Sequence, residues 1–113
     1  MIKKENRLSG SRQVGKVLQK GFSVKTPNLS CRILSGKPTE SVRLTVVVSK
    51  KVASHAVDRN LIKRRVREAF DSHLAGKTGS SVVVFPKASA KDADFQCLKD
   101  EAVKCLENQR SFS

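Results

Sequence analysis

Val48-Ser49-Lys50-Lys51-Val52, followed by Ala56-Val57-Asp58-Arg59-Asn60-Leu61-Ile62-Lys63-Arg64-Arg65-Val66-Arg67-Glu68-Ala69-Phe70, is the stretch from which the rest of the chain can be read. At ~100° per residue, Ile62, Val66, Ala69 and Phe70 fall within one helical arc of about 100°. Asn60, Lys63, Arg64 and Arg67 fall within a separate arc of similar width on the far side. One face can pack on a core while the other presents cations and an amide. Arg65 lies outside both arcs. Arg59 falls near the apolar side, where a place in the first turn lets it escape burial.

Working outward, composition decides what such a helix is for. The chain has 113 residues, with 23 Lys plus Arg against 10 Asp plus Glu and a formal net charge of +13. A single domain of this size tolerates that self-repulsion most easily when a polyanion neutralises it. Nucleic acid fits through phosphate contacts and counterion release. An anionic membrane fits less well, because the helix buries its apolar face at a core-like spacing and no lipidation motif accompanies it. The segment Met1–Arg7 is charged and lacks the apolar region of a signal peptide. The cysteines Cys31, Cys97 and Cys105 are odd in number and form no CxxC pair, so neither a disulfide framework nor structural zinc is expected. The reading is a reduced, cytoplasmic protein with cysteines used as small buried hydrophobes.

The flanking sequence predicts one α/β domain over residues 1–113. Residues 1–10 read as a basic arm and 107–113 as a frayed tail. Ser11 starts a short helix bearing Val14, Val17 and Leu18, stopped by Gly21. Lys16 and Lys20 share one face of it. Phe22–Lys25 is a short extended piece before Pro27. Leu29–Leu34 alternates as a strand, with Leu29, Cys31 and Ile33 opposite Arg32. Residues 35–40 form a turn. The β-branched run Val42–Val48 predicts a central strand covered on both faces. Ser54 or Asp58 would cap the basic helix, which ends near Gly76. Residues 77–80 form a loop and Ser81–Phe85 a second buried strand, so a βαβ crossover and a mixed sheet are expected. Asp92 or Asp94 caps a last helix with Phe95, Leu98, Ala102, Cys105 and Leu106 as its packing stripe.

No constellation for chemistry emerges. Asp92 and Asp94 read as cap and dipole partners rather than a metal site. Asp100 and Glu101 are adjacent on a helix and diverge. His55 and His73 have no Cys or carboxylate at ligand spacing, and no glycine-rich phosphate cradle is present. Catalytic residues and a metal in the protein are therefore not expected. Tyr and Trp are absent and Phe is scarce. This disfavours an aromatic platform and favours reading of RNA backbone and shape. A ribosomal-type protein or RNA chaperone, and a metal-dependent nuclease acting alone, are the competing readings.

The central stretch resembles the signature of the bacterial ribonuclease P protein component: SVSKK, then AV-x-RNR-x-KR-x-x-RE. The resemblance extends through Arg7-Leu8, Lys20-Gly21, Ser81–Phe85 and the closing helix. It implies an α/β sandwich of three helices and a small mixed four-stranded sheet, in the order α-β-β-β-α-β-α. It also implies a left-handed βαβ crossover, against the usual hand. Functionally it implies a protein that assists a catalytic RNA in removing the 5′ leader of precursor tRNA, with the chemistry and its magnesium ions in the RNA. No membrane and no obligate protein partner are implied.

Carried over by position, the resemblance assigns RNA binding to Lys50, Lys51, Arg59, Asn60, Lys63, Arg64 and Arg67. Apart from the motif, the face shared by Lys16 and Lys20 is either solvated or a second RNA contact, and Arg7 is a further candidate for such a contact. Leu61 stands where the motif has a third cationic residue, and Asp58 puts an acid directly before it. A leader cleft between the first helix and the sheet would involve Val14, Leu18 and Arg32. The family often has aromatics there, so this cleft is expected to rely on charge rather than stacking.

Overall fold

Alternating and helical hydrophobic periods place the elements close to where the sequence puts them. The computed structural model describes residues 11–35, 42–74 and 80–107. In order these form α1 (Ser11–Lys20), β1 (Phe22–Lys25), β2 (Leu29–Ser35), β3 (Arg43–Val46), α2 (Ala56–Leu74), β4 (Ser80–Pro86), a 3-10 turn (Ala88–Lys91) and α3 (Phe95–Glu107). The arm 1–10, with Arg7, lies outside the described residues. So do most of the 35–40 turn and 77–80 loop, and residues 108–113 of the expected tail; Glu107 belongs to α3.

The four strands make one mixed sheet in the order β1-β2-β4-β3. The first two pairings are antiparallel and β3–β4 is parallel. A parallel pair needs a crossover, and α2 supplies it. The expected βαβ unit is therefore present.

The period of two divides each strand between two layers. Leu29, Cys31 and Ile33 of β2, Leu44 and Val46 of β3, and Val82 and Val84 of β4 face a core shared with α2 and α3. Ile62, Val66, Ala69 and Phe70 fill that core from α2 and are all essentially buried. Leu98, Ala102, Cys105 and Leu106 do so from α3. Burying each larger side chain contributes roughly 1.5–3 kcal/mol before entropy is counted. On the other side of the sheet α1 seats Val17 against Val83, with Val14, Leu34 and Phe85 around them.

Gly21 sets how closely α1 approaches. Its N–H donates to Val17 O at 2.8 Å. A Cβ there would stand 2.5 Å from Val17 O and 2.8 Å from Ile33 O. Both obstacles are backbone, so any side chain would push α1 off β2.

Four expectations are corrected. The Val42–Val48 run is not central: β3 is an edge strand, and β2 and β4 occupy the middle. β-branched residues favour a strand but do not choose its place. The polar residues Arg43 and Thr45 at odd positions were the signal; both are half-buried, and Val47 is 38% exposed. Asp58 does not cap α2, because the helix begins at Ala56 and Asp58 sits inside its first turn; nor is Ser54 adjacent to the first helical residue. Phe95 leaves the α3 stripe, being 37% exposed, with the Lys99 ammonium 5.7 Å from its ring centroid. Cys97 is exposed and only Cys31 and Cys105 are buried, their sulfurs 2.8 Å apart. At the start of α3 the sequence reading holds, since Asp94 Oδ1 accepts the Gln96 N–H at 3.0 Å.

Candidate nucleic-acid interface

The residues between β3 and α2 form a turn because one carbonyl accepts twice. Ser49 O takes the N–H groups of Val52 (3.1 Å) and Ala53 (3.2 Å). The turn presents Lys50 and Lys51, both exposed. Arg59 fastens it to α2, donating from Nη1 to Ala53 O at 3.0 Å and Ser54 O at 2.9 Å. A guanidinium has five N–H donors, and these bonds use two. Arg59 is thus half-buried and partly structural, while it holds Lys50 and Lys51 next to the helix.

Beyond that turn the helix sorts its polar residues as periodicity requires. Asn60, Arg64 and Arg67 are exposed and Lys63 is half-buried. With a rise of ~1.5 Å per residue, this face extends for about 10 Å along the axis. Together with Lys50 and Lys51 on the turn that leads into the helix, it supplies exposed cations on ordered backbone, suited to phosphate groups.

Arg65, one residue from that face, does something else. Its Nη1 donates to Lys91 O at 3.1 Å and its Nη2 to Ala93 O. Two turns earlier, Asp58 Oδ1 meets Lys91 Nζ at 3.1 Å. The two side chains clip α2 to the 91–93 segment. The pair Asp58–Lys91 is partly exposed and is worth at most about 1 kcal/mol. The Arg65 bonds are charge-assisted and contribute more.

The opposite side of the sheet carries the second candidate surface. α1 covers only part of it. Val14 is half-buried, Leu18 is 36% exposed, and Lys16 and Lys20 point to solvent. Arg32 is half-buried and donates from Nη1 to Gly21 O at 3.3 Å. Strand register aligns residues across this face. One row runs Ser23–Arg32–Val83–Thr45, beneath α1. The next runs Lys25–Ser30–Phe85 and continues to Val47, whose N–H donates to Val84 O at 2.9 Å. Phe85 is half-buried. Sequence reasoning took it as a core residue of a buried strand; its odd position beside Val83, on the face opposite Val82 and Val84, was the available signal.

A buried lock fixes one end of this face. Glu101 of α3, 5% exposed, accepts the Asn28 N–H at 2.6 Å on Oε1 and the Asn28 Nδ2–H at 2.7 Å on Oε2. Burial by itself would raise this carboxyl. Hydrogen bonds from the Thr26 hydroxyl and from the side chain and backbone of Asn28, with the Lys104 charge, outweigh it and hold the group below the ordinary glutamate value. Lys87 adds a bond from Nζ to Thr26 O at 2.9 Å and one from its N–H to Asn28 O at 2.8 Å. The loop between β1 and β2 is thereby tied to α3 and to the end of β4.

Among the described residues no group of three His, Cys, Asp or Glu side chains could hold a metal ion. Asp94 is occupied as a cap and Glu101 as a lock. No described helix is long and apolar enough to cross a membrane.

Comparison with known proteins matches residues 2–110 to the family model for ribonuclease P. A ribonuclease P protein component from Pseudanabaena sp. is 36% identical over 107 residues, covering 94% of this chain and 92% of that one. Among solved structures, the RNase P protein of Staphylococcus aureus superposes with a TM-score of 0.78 at 27% identity, covering 97% of this chain and all of that one. The RNase P protein of Thermotoga maritima gives 0.75 at 25% identity, over 90% of this chain and 96% of that one.

Proposed function

The chain belongs to the ribonuclease P protein family, and from that premise we propose how this protein component of the tRNA 5′-processing enzyme divides two surfaces between two RNAs. The cationic face made by Lys50, Lys51, Asn60, Lys63, Arg64 and Arg67 binds the catalytic RNA. The half-covered sheet face beside α1 receives the single-stranded 5′ leader of precursor tRNA, with Val14, Leu18 and Arg32 along it. Arg7, Lys16 and Lys20 add secondary contacts. The two surfaces belong to opposite layers of the sandwich, so both RNAs can be held at once in a cytoplasmic ribonucleoprotein.

The observation that carries this reading is the sorting of α2. Its apolar arc is buried to the last residue, while Asn60, Arg64 and Arg67 of the polar arc are left to solvent and Lys63 is half-buried, on a helix clipped in place by Asp58 and Arg65. Cations held on fixed backbone gain phosphate contacts without first ordering a flexible segment. Phosphate neutralisation by this face releases counterions and lowers the repulsion that the folded RNA would otherwise meet with magnesium alone. Leader contact adds binding energy remote from the scissile bond, which helps orient the substrate. Magnesium carried by the RNA would supply the metal-assisted hydrolysis; the protein's residues bind and position.

Reconstitution tests this. Purified protein is added to a ribonuclease P RNA, and precursor tRNA cleavage is assayed at low magnesium. The expected result is strong stimulation by protein, with no cleavage by protein alone. Absence of stimulation, with co-purification on ribosomal particles, would favour the ribosomal-type reading. Cleavage by nuclease-free protein alone, lost on substituting Asp92 or Asp94, would move the chemistry into the protein.

A further inference from the structure

We propose that Phe85, from β4, is the base-stacking platform of the half-covered sheet face, and that the row Lys25–Ser30–Phe85–Val47 extends the cleft beyond α1. The proposal rests on reading that face as the leader site and names the residue that gives it affinity for unpaired bases.

The α1 side of the cleft offers no π-face. Val14 and Leu18 are aliphatic, and Arg32 has Nη1 committed to Gly21 O. Phe85 stands on the central strand of the same face. It packs against the Val17–Val83 pair, which anchors it. Part of the residue remains accessible to solvent, since it is only half-buried. Its neighbours across the register suit a nucleotide. Ser30 on β2 is short and leaves room beside the ring. Val47, 38% exposed, adds an apolar margin on the other side. Lys25, exposed, stands two strands from Phe85, at about 10 Å by strand spacing. That is far enough to meet a phosphate while the base lies on the ring. A preorganised aromatic with a cation within reach, on rigid strands, is what single-stranded nucleic acid binds without sequence preference. The Glu101–Asn28 lock holds the β1–β2 loop, and with it the spacing between Lys25 and Phe85.

The test uses the reconstituted holoenzyme and two RNAs: precursor tRNA with a several-nucleotide leader, and the same tRNA with none. Leader-dependent affinity is the ratio of the two dissociation constants. Phe85→Leu preserves an apolar side chain for packing on Val17 and removes the stacking surface. It should lower that ratio by roughly 5- to 150-fold, the range of one base–aromatic stack. Phe85→Tyr should retain it, and binding to the leaderless tRNA should be unchanged in both. In case Phe85→Leu unfolds, the wild-type holoenzyme is crosslinked to a leader carrying 4-thiouridine and the modified peptide is mapped; attachment within residues 80–86 supports the proposal. A wild-type ratio well above one, with no loss in Phe85→Leu and crosslinks confined to α1, would overturn the assignment of Phe85 and leave the leader cleft standing. A wild-type ratio of one would remove both.

Discussion

Glu101→Gln is the substitution whose outcome the geometry determines most closely. The wild-type carboxylate offers one oxygen to each Asn28 donor, at 2.6 and 2.7 Å. Glutamine has a single acceptor oxygen. That oxygen can keep the Asn28 N–H, but the glutamine NH2 group then meets the Asn28 amide, which must turn over to accept it; both bonds lose the carboxylate charge. Hydrogen bonds to a charged group contribute about 1.5–3 kcal/mol, and the expected loss is of that size. It is a large part of the roughly 5–15 kcal/mol that holds a domain together.

The pH dependence identifies the charged form. The folded-state value of Glu101 lies below the ordinary glutamate value of 4.5. Its contribution is therefore fully present above about pH 4.5 and is lost as pH falls through the depressed folded-state value. Urea denaturation of both proteins at pH 7, and at intervals down to pH 3, measures this. The gap should be widest at neutral pH and should close on acidification. Equal stability at pH 7, or a gap that persists undiminished at the acid end, would show that the ionised carboxylate is not what holds Asn28.

Two further outcomes follow from the cationic face. Arg64→Ala and Arg67→Ala should leave urea midpoints nearly unchanged, yet each should weaken binding to ribonuclease P RNA by roughly 1 kcal/mol or more; Val66→Ala, by contrast, should destabilise the fold by about 1–3 kcal/mol, and the reverse pattern would mean the helix faces are exchanged. Titrations from low to high monovalent salt should lose ~0.7–0.9 log units of affinity per log unit of salt for each phosphate contact, and a flat response would exclude the cationic face as the binding surface.

What was legible in the sequence was whatever depends on local period. The two faces of α2 follow from spacing alone, and each of Ile62, Val66, Ala69 and Phe70 is buried where the arc places it. Strand existence was legible for the same reason, and Gly21 marked the end of α1. Strand order was not, because pairing is decided by contacts distant in sequence. Val42–Val48 and Val82–Val84 look alike as β-branched runs, yet one is the edge and the other the centre. Phe85 was hidden by the same limit: its exposure depends on how far α1 reaches across the sheet. Nor does any local signal pair Glu101 with Asn28, 73 residues away.

The basic residues show why charge count overstates phosphate contacts. Arg59 and Arg65 belong to the same cationic run as Arg64 and Arg67, but both spend guanidinium donors on backbone carbonyls. Lys87 does likewise with its ammonium. Asp58, an acid next to a cationic motif, looks like a defect until its angle is considered. At ~100° per residue it lies nearly opposite the centre of the Asn60–Lys63–Arg64–Arg67 arc and within about 20° of Arg65. Its charge is met by Lys91, on the segment that also receives Arg65. The acid therefore does not dilute the cationic face proposed to meet RNA. It helps Arg65 hold the helix at the angle that keeps that face outward, and a cation at position 58 would repel Lys91 and loosen the clip.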